Sequence, residues 1–266
     1  MILDCFSFFN EVEILEGRLE YLYDTVDYFI IVESNTTYSG HSKPLNYLAN
    51  IDRYKKYLDK IIYFPYAADI DGLVFDQKLT DPYNGKSAFW ILENGQRNHI
   101  LKAVKCFKDD DIVLISDLDE IPSKQAIKMA CEQFENGAET FALSQEMFYY
   151  NFSQKWSEPW NGTVISTNRF VKKQTPQWLR DMRYSIPSIL NGGYHLSYWG
   201  DKNRISTKIT KFAHQELNKT EFTDPELIDE RIKLGKDPFD RQPLIPVPIE
   251  NIQKEFYDIF SKYQIR

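Results

Sequence analysis

The spacing of apolar positions changes period several times along the chain, and each change marks an element. Ile2–Phe9 reads as a strand entered almost at once. Glu11–Thr25 then sets Ile14, Leu15, Leu19, Leu22 and Tyr23 at helical spacing. Tyr28–Glu33 (YFIIVE) is a continuous apolar run ending in a carboxylate, the pattern of a strand buried on both faces of a parallel sheet. Asp52–Leu58 reads as a helix and Ile61–Phe64 as a third strand. Ser87 to Phe107 reads as one helix with Trp90, Asn94, Arg97 and Leu101 along one side, followed by the strand Asp111–Ile115. A helix over Lys124–Phe134, closed by Asn136-Gly137, and a strand over Thr140–Ser144 complete the series. Strands alternating with helices predict an α/β fold, with a mostly parallel, Rossmann-type sheet flanked by helices.

Beyond Ser144 the pattern is less regular. Phe148–Trp160 is crowded with aromatic and polar residues, and Gly192-Gly193 precedes His195 and Trp199. Asp224-Pro225 opens a helix to about Leu234, with proline at its first position. A proline-rich stretch, Pro238–Pro248, leads to a terminal helix over about Glu250–Tyr263. The expected organisation is one domain over residues 1–266, with an α/β half (1–145) and a loop-rich half (146–266).

Composition narrows the partners. Asp and Glu number 39 against 32 Lys and Arg, a net charge of −7, which disfavours a nucleic-acid partner. No window is long and apolar enough for a transmembrane segment, and the N-terminus lacks the basic and apolar regions of a signal peptide. Cys5, Cys106 and Cys131 form an odd set with no CxxC pair, read as small buried hydrophobes in a reducing compartment. Together these predict a cytoplasmic protein. Tyr149, Tyr150, Trp156, Trp160, Tyr198 and Trp199 serve either as core or as a groove that stacks on sugar rings.

The most informative segment is ISDLDEIP, Ile115 to Pro122. In extended backbone, residues two apart face the same way, so Asp117 and Asp119 can converge while Leu118 turns to the core. Two carboxylates so placed repel unless a cation joins them or one is protonated. Such an oxygen-rich site suits Mg²⁺ or Mn²⁺ shared with a diphosphate. Ligands of open α/β sheets bind beyond the carboxyl ends of the strands, where these acids fall. The alternative is a solvated acidic turn capping the next helix.

Several segments in register resemble glycosyltransferase family 17: Asp4–Glu11 (DCFSFFNE), Tyr28–Gly40 with Lys43-Pro44-Leu45, Asp110–Pro122 (DDIVLISDLDEIP), Tyr194–Trp199 (YHLSYW) and Arg231–Asp240 (RIKLGKDPFD). The resemblance implies a GT-A-like fold and inverting, metal-dependent transfer of a sugar from a nucleotide donor, usually UDP-GlcNAc. The acceptor would be a glycan or glycolipid hydroxyl. The halves 1–145 and 146–266 would then bind nucleotide sugar and acceptor. Relatives in vertebrates carry a membrane anchor, which this sequence does not show.

Roles follow from that resemblance. Asp119 is the first expected metal ligand and Asp117 the second, with holding the ribose as an alternative for Asp117. His195 is expected to complete the Mn²⁺ or Mg²⁺ shell, with His214 a lesser candidate and a core histidine the competing reading. Glu120 either sets the geometry of the acids or faces solvent. Glu33, Ser34 and Asn35, just past the second strand, are expected to bind the donor. Arg97 either pairs with the diphosphate or forms a surface ion pair, and Lys43 offers a second positive group. Transfer needs a base for the acceptor hydroxyl. Glu216 is the candidate, with Glu146 and Asp240 as competitors. Two alternatives stand beside this reading. One is a nucleotidyltransferase making a nucleotide sugar, disfavoured because Phe8-Phe9-Asn10-Glu11 fills the place of a Gly-rich basic loop. The other is a carbohydrate-binding protein without catalysis.

Overall fold

The computed structural model describes residues 1–76 and 86–263. The first half runs β1 (Ile2–Phe8), α1 (Val12–Leu22), β2 (Tyr28–Ser34), the short α2 (Asn46–Ala49), a 3-10 segment Ile51–Lys60, β3 (Ile61–Tyr66), α3 (Ala88–Asn98), α4 (Ile100–Val104) and β4 (Ile112–Asp117). Next come β5 (Glu120–Pro122), α5 (Lys124–Glu135), β6 (Thr140–Tyr149), β7 (Gln154–Lys155) and β8 (Trp160–Thr167). The remainder holds α6 (Asn168–Lys173), α7 (Pro176–Asp181), β9 (Ser188–Ile189), β10 (Gly193–Ser197), α8 (Lys202–Lys211), α9 (Thr220–Thr223), α10 (Pro225–Lys233), β11 (Ile245–Pro246) and α11 (Lys254–Phe260).

The main sheet has the order β11-β7-β6-β8-β4-β1-β2-β3. β3, β2, β1 and β4 are mutually parallel, and β8 is antiparallel to both β4 and β6. The parallel, Rossmann-type half is therefore present, and the sheet as a whole is mixed. The apolar runs form strands because both faces are covered. Leu3, Cys5, Ile30, Val32, Val113 and Ile115 pack against α4, α6 and α7 on one side. Phe6, Phe8, Phe29, Ile31 and Leu114 pack against α1, α5 and α11 on the other. Alternate residues of one strand feed two cores, as the period of a strand requires.

Three expectations change in detail. The helix expected from Ser87 to Phe107 is broken at His99 into α3 and α4, and Ser87 makes no capping bond. Asp52–Leu58 lies in the 3-10 segment. Cys5 is buried as expected, Cys131 is half-buried, and Cys106 is exposed, so one thiol is not a core residue. The sheet shows no seam at residue 145: the position lies within β6, and β8 from the second half sits between β4 and β6. A third apolar cluster joins β6 to α8 and α10 through Met147, Tyr149, Ile205, Ile209 and Ile228. Among the described residues no helix is long and apolar enough to cross a membrane.

One charged residue positions the acidic turn. Arg18 lies on the apolar stripe of α1, and its side chain is fully buried over the Phe6 ring. It holds Asp4, in the middle of β1, with two bonds of 2.8 and 2.6 Å. Its remaining N–H groups donate to the carbonyls of Asp117, Leu118 and Glu120 and to the Ser116 hydroxyl. All its nitrogens thus find acceptors, the condition under which a buried charge is tolerable. The backbone of the D-x-D-E turn is tied to the first strand through this one guanidinium.

Replacing Arg18 with Met strands the Asp4 carboxylate in the core. Unfolding in urea is expected to show a loss of about 3–5 kcal/mol. A loss under about 1 kcal/mol, the size of a surface pair, would contradict the anchoring role.

Candidate active site

Asp117 ends β4, and Leu118 turns into the core beside it, 3% exposed. Asp117 and Asp119 then diverge in their partners. One oxygen of Asp117 accepts from Arg97 at 2.9 Å and the other from Arg180 at 2.8 Å. Arg97 also holds Glu93 at 2.8 Å and bonds Gln177. Arg180 grips both oxygens of Glu120, at 2.6 and 2.7 Å, in the bidentate manner that suits guanidinium and carboxylate. Glu120 is fully buried, accepting further from the Trp160 indole at 2.6 Å and the Asp117 amide at 3.1 Å. It does not face solvent. It fixes the acids from behind.

Asp119 points to a different set. Its Oδ2 accepts from the Lys208 ammonium at 2.6 Å, and its Oδ1 lies 3.6 Å from Nε2 of His195. Glu11, just past β1, lies 3.8 Å from the same ammonium. The Tyr198 ring stands 5.6 Å from it, on a residue with a left-handed φ of +48° that bulky residues rarely adopt. Asn10, Glu11, Ile14, Trp199, Arg204 and Lys208 line a small hollow beside this junction. His195 reaches Asp119 because β10 closes on β5, pairing His195 with Glu120. That approach needs glycine: Gly193 has φ +122°, and a Cβ there would lie 2.1 Å from the Ile121 carbonyl oxygen.

The two carboxyls titrate far from their ordinary range. Burial alone would raise Asp117, but Arg180 and Arg97 outweigh it and hold the carboxyl well below the usual value. Burial is likewise overcome at Asp119, by Lys208 and then His195. Burial lowers Lys208, yet Asp119 and Glu11 keep its ammonium above the ordinary lysine value. Both acids therefore stay ionised at neutral pH.

The three residues expected as metal ligands differ in their partners. Each oxygen of Asp117 is bonded to an arginine, so a metal there would compete with two guanidinium groups. Asp119 and His195 form a carboxylate–imidazole pair, 3.6 Å apart and too distant for a strong hydrogen bond. Nδ1 of His195 is buried with no partner among the described residues. Among the described residues no group of three or more His, Cys, Asp or Glu could hold a metal.

Other expected residues sit elsewhere. Glu33 is fully buried and saturated: it accepts from Lys43 at 2.8 Å, the amides of Asn46 and Tyr47, and the Tyr63 hydroxyl. It anchors α2 and has no free oxygen for a donor. Lys43 is spent on that bond and on the Pro44 carbonyl. Ser34 is buried and accepts from the Thr36 amide, while Asn35 is exposed at the carboxyl end of β2. Glu216 pairs with His214 at 2.6 Å beside Trp90, and none of its described bonds reaches Asp117 or Asp119. Glu146 pairs with Lys155, and Asp240 with Lys236. Tyr149, Tyr150 and Trp199 are core residues, whereas Trp156, Trp160 and Tyr198 keep some exposure. Sequence reasoning missed Arg18, Arg180 and Lys208. The signal for Arg18 was a charge on an apolar stripe; the other two carried none.

Asp117 yields a pH prediction. A depressed carboxyl contributes fully above the ordinary value of about 4 and loses that contribution as pH falls through it toward the folded value. Between about pH 4 and pH 2, the Asp117→Asn variant is expected to lose stability less steeply than wild type, read by circular dichroism. Parallel acid limbs would remove Asp117 as a source of the acid sensitivity.

The β-1,4-mannosyl-glycoprotein 4-β-N-acetylglucosaminyltransferases of Rattus norvegicus and Homo sapiens are each 24% identical over 172 residues, 62% of this chain and 29% of theirs. The matched chain thus spans less than a third of each curated relative. The solved structure of 4-diphosphocytidyl-2C-methyl-D-erythritol synthase from Anaerococcus prevotii superposes with a TM-score of 0.41 at 9% identity, over 71% of this chain and 86% of that one. Residues 1–254, which include the acidic turn, its arginines, His195 and Lys208, match glycosyltransferase family 17, and the chain belongs to that family.

Proposed function

We propose that the chain transfers N-acetylglucosamine from UDP-GlcNAc, with inversion, to a hydroxyl of a glycan or glycolipid acceptor, in a GT-A-like fold in the cytoplasm. The observation that carries this is the separation of two ionised acids at the carboxyl end of β4. Asp117 belongs to an arginine clamp and Asp119 to a histidine and a lysine. A nucleoside diphosphate leaving group needs positive charge aimed at its oxygens, with acids to keep that charge in place. Asp119 and His195 would hold Mn²⁺ or Mg²⁺, which neutralises developing phosphate charge when bound. The Lys208 ammonium, already beside Asp119, would add a mobile positive group. Asp117, whose side chain is 38% exposed, keeps an open edge that suits a ribose hydroxyl. Exposed Asn35, at the neighbouring strand end, suits the base or ribose.

Glu216 is the proposed base for the acceptor hydroxyl. One of its oxygens is bonded to His214, and the other is buried without a partner. Glu146 is tied to Lys155, and Lys236 beside Asp240 holds that carboxyl below the ordinary value.

A screen of nucleotide sugars by thermal shift and product release tests the proposal. UDP-GlcNAc with Mn²⁺ is expected to raise the melting temperature and to release UDP. Asp119→Asn should weaken donor binding about tenfold or more, some 1.4 kcal/mol. Flat responses to every nucleotide sugar would sink the transferase reading. Pyrophosphate release from a nucleoside triphosphate and a sugar phosphate would establish nucleotidyl transfer instead.

A further inference from the structure

Around Glu120 three arginines gather, and their partners are unequal. Arg97 is paired with Glu93 and Asp117, and Arg180 with Asp117 and Glu120. Arg183 has no carboxylate within ion-pair distance among the described residues. Its Nη1 donates to the Arg180 carbonyl at 2.8 Å, and its Nε is buried with no acceptor. The guanidinium lies against two rings, 5.1 Å from the centre of Trp160 and 4.9 Å from that of Tyr184. Those rings stand nearly perpendicular, 84° apart.

Cation–π contact offsets part of the desolvation of a guanidinium but gives no acceptor to its N–H donors. Burial, followed by the field of Arg180, holds the Arg183 guanidinium below the ordinary arginine value despite the opposing pull of Glu120. The cluster thus contains a cation whose missing partner is an anion. Its position is informative. Trp160 is shared: one side meets Arg183, while its ring also lies 5.4 Å from His195 and its N–H bonds Glu120. One indole separates the free cation from the Asp119–His195 pair. Tyr184 is 57% exposed, so the outer side of the subsite opens to solvent.

We propose that Arg183, framed by Trp160 and Tyr184, is an anion subsite that receives a phosphate or carboxylate group of a substrate. The inference rests on the reading of this cleft as a sugar-transfer site. The anion is either the diphosphate of the donor or an acidic group on the acceptor, and both would present oxygen acceptors to the same donors.

Titration calorimetry on wild type, Arg183→Gln and Arg183→Lys decides it, with pyrophosphate, UDP, glucose 1-phosphate and glucuronate as probes. If the subsite serves the donor, pyrophosphate and UDP bind at least tenfold more weakly to Arg183→Gln, and Arg183→Lys recovers part of the loss. If it serves an acidic acceptor, only glucose 1-phosphate or glucuronate weakens. Binding of every probe unchanged in Arg183→Gln, or no probe binding wild type, overturns the proposal. UDP that binds wild type and Arg183→Gln equally, but not Asp119→Asn, leaves the donor reading standing and removes the donor role of Arg183. Should Arg183→Gln fail to fold, Tyr184→Ala, which opens the frame at its exposed side, carries the same comparison. A role confined to ring stacking would lower the melting temperature of the variants while leaving all four affinities in place.

Discussion

A single buried guanidinium holds the acidic turn where it is. Arg18 binds Asp4 inside β1 and the carbonyls of residues 117, 118 and 120, and it does so from α1, on the face of the sheet that carries the larger core. A buried pair of this kind is weak evidence for net stability, since its desolvation offsets most of the attraction. Its value is geometric. The turn after β4 has few regular backbone partners of its own, and three of its carbonyls converge on one side chain instead. Every distance at Asp117 and Asp119 is measured from that fixed turn.

From there the two acids are kept distinct by what surrounds them. Like charges two residues apart would raise one another's pKa if they shared an environment. The protein outweighs this by giving Asp117 to arginines on α3 and α7 and Asp119 to Lys208 on α8 and His195 on β10. Glu120 has no such freedom. Fully buried and bonded on both oxygens, it orients Arg180 and Trp160, and through them the outer part of the cleft.

The sequence made the parallel half legible because strands covered on both faces read as unbroken apolar runs, and β1, β2 and β4 are such strands. The acidic turn was legible for the same reason: polar residues directly after an apolar run stand out. What failed was partner choice. Glu33 also ends an apolar run, yet the amides of α2 already occupy both its oxygens. Arg180 and Lys208 act on residues 60 and 89 positions away, a separation no local pattern encodes. Arg18 was different. At four and three positions from Ile14 and Leu15 it shares their stripe, and a charge there demands a buried counter-charge, which Asp4 supplies from a mostly apolar strand.

Asp119 is where independently packed parts of the molecule meet. Its backbone is set by the turn that Arg18 pins over the first core, and its carbonyl accepts from the Leu196 amide of β10. Its carboxylate meets Lys208 of α8, whose apolar side rests on the third core through Ile205 and Ile209. A boundary drawn at residue 145 therefore divides the chain without dividing the chemistry. The first half supplies the acids and Arg97, while the second supplies Arg180, Lys208 and the imidazole. Displacing α8 or β10 would change the charge at Asp119 without touching the strand that carries it. The loop-rich half is thus coupled to the acidic turn through one carboxylate, and the ionic state of that carboxylate depends on both cores being formed.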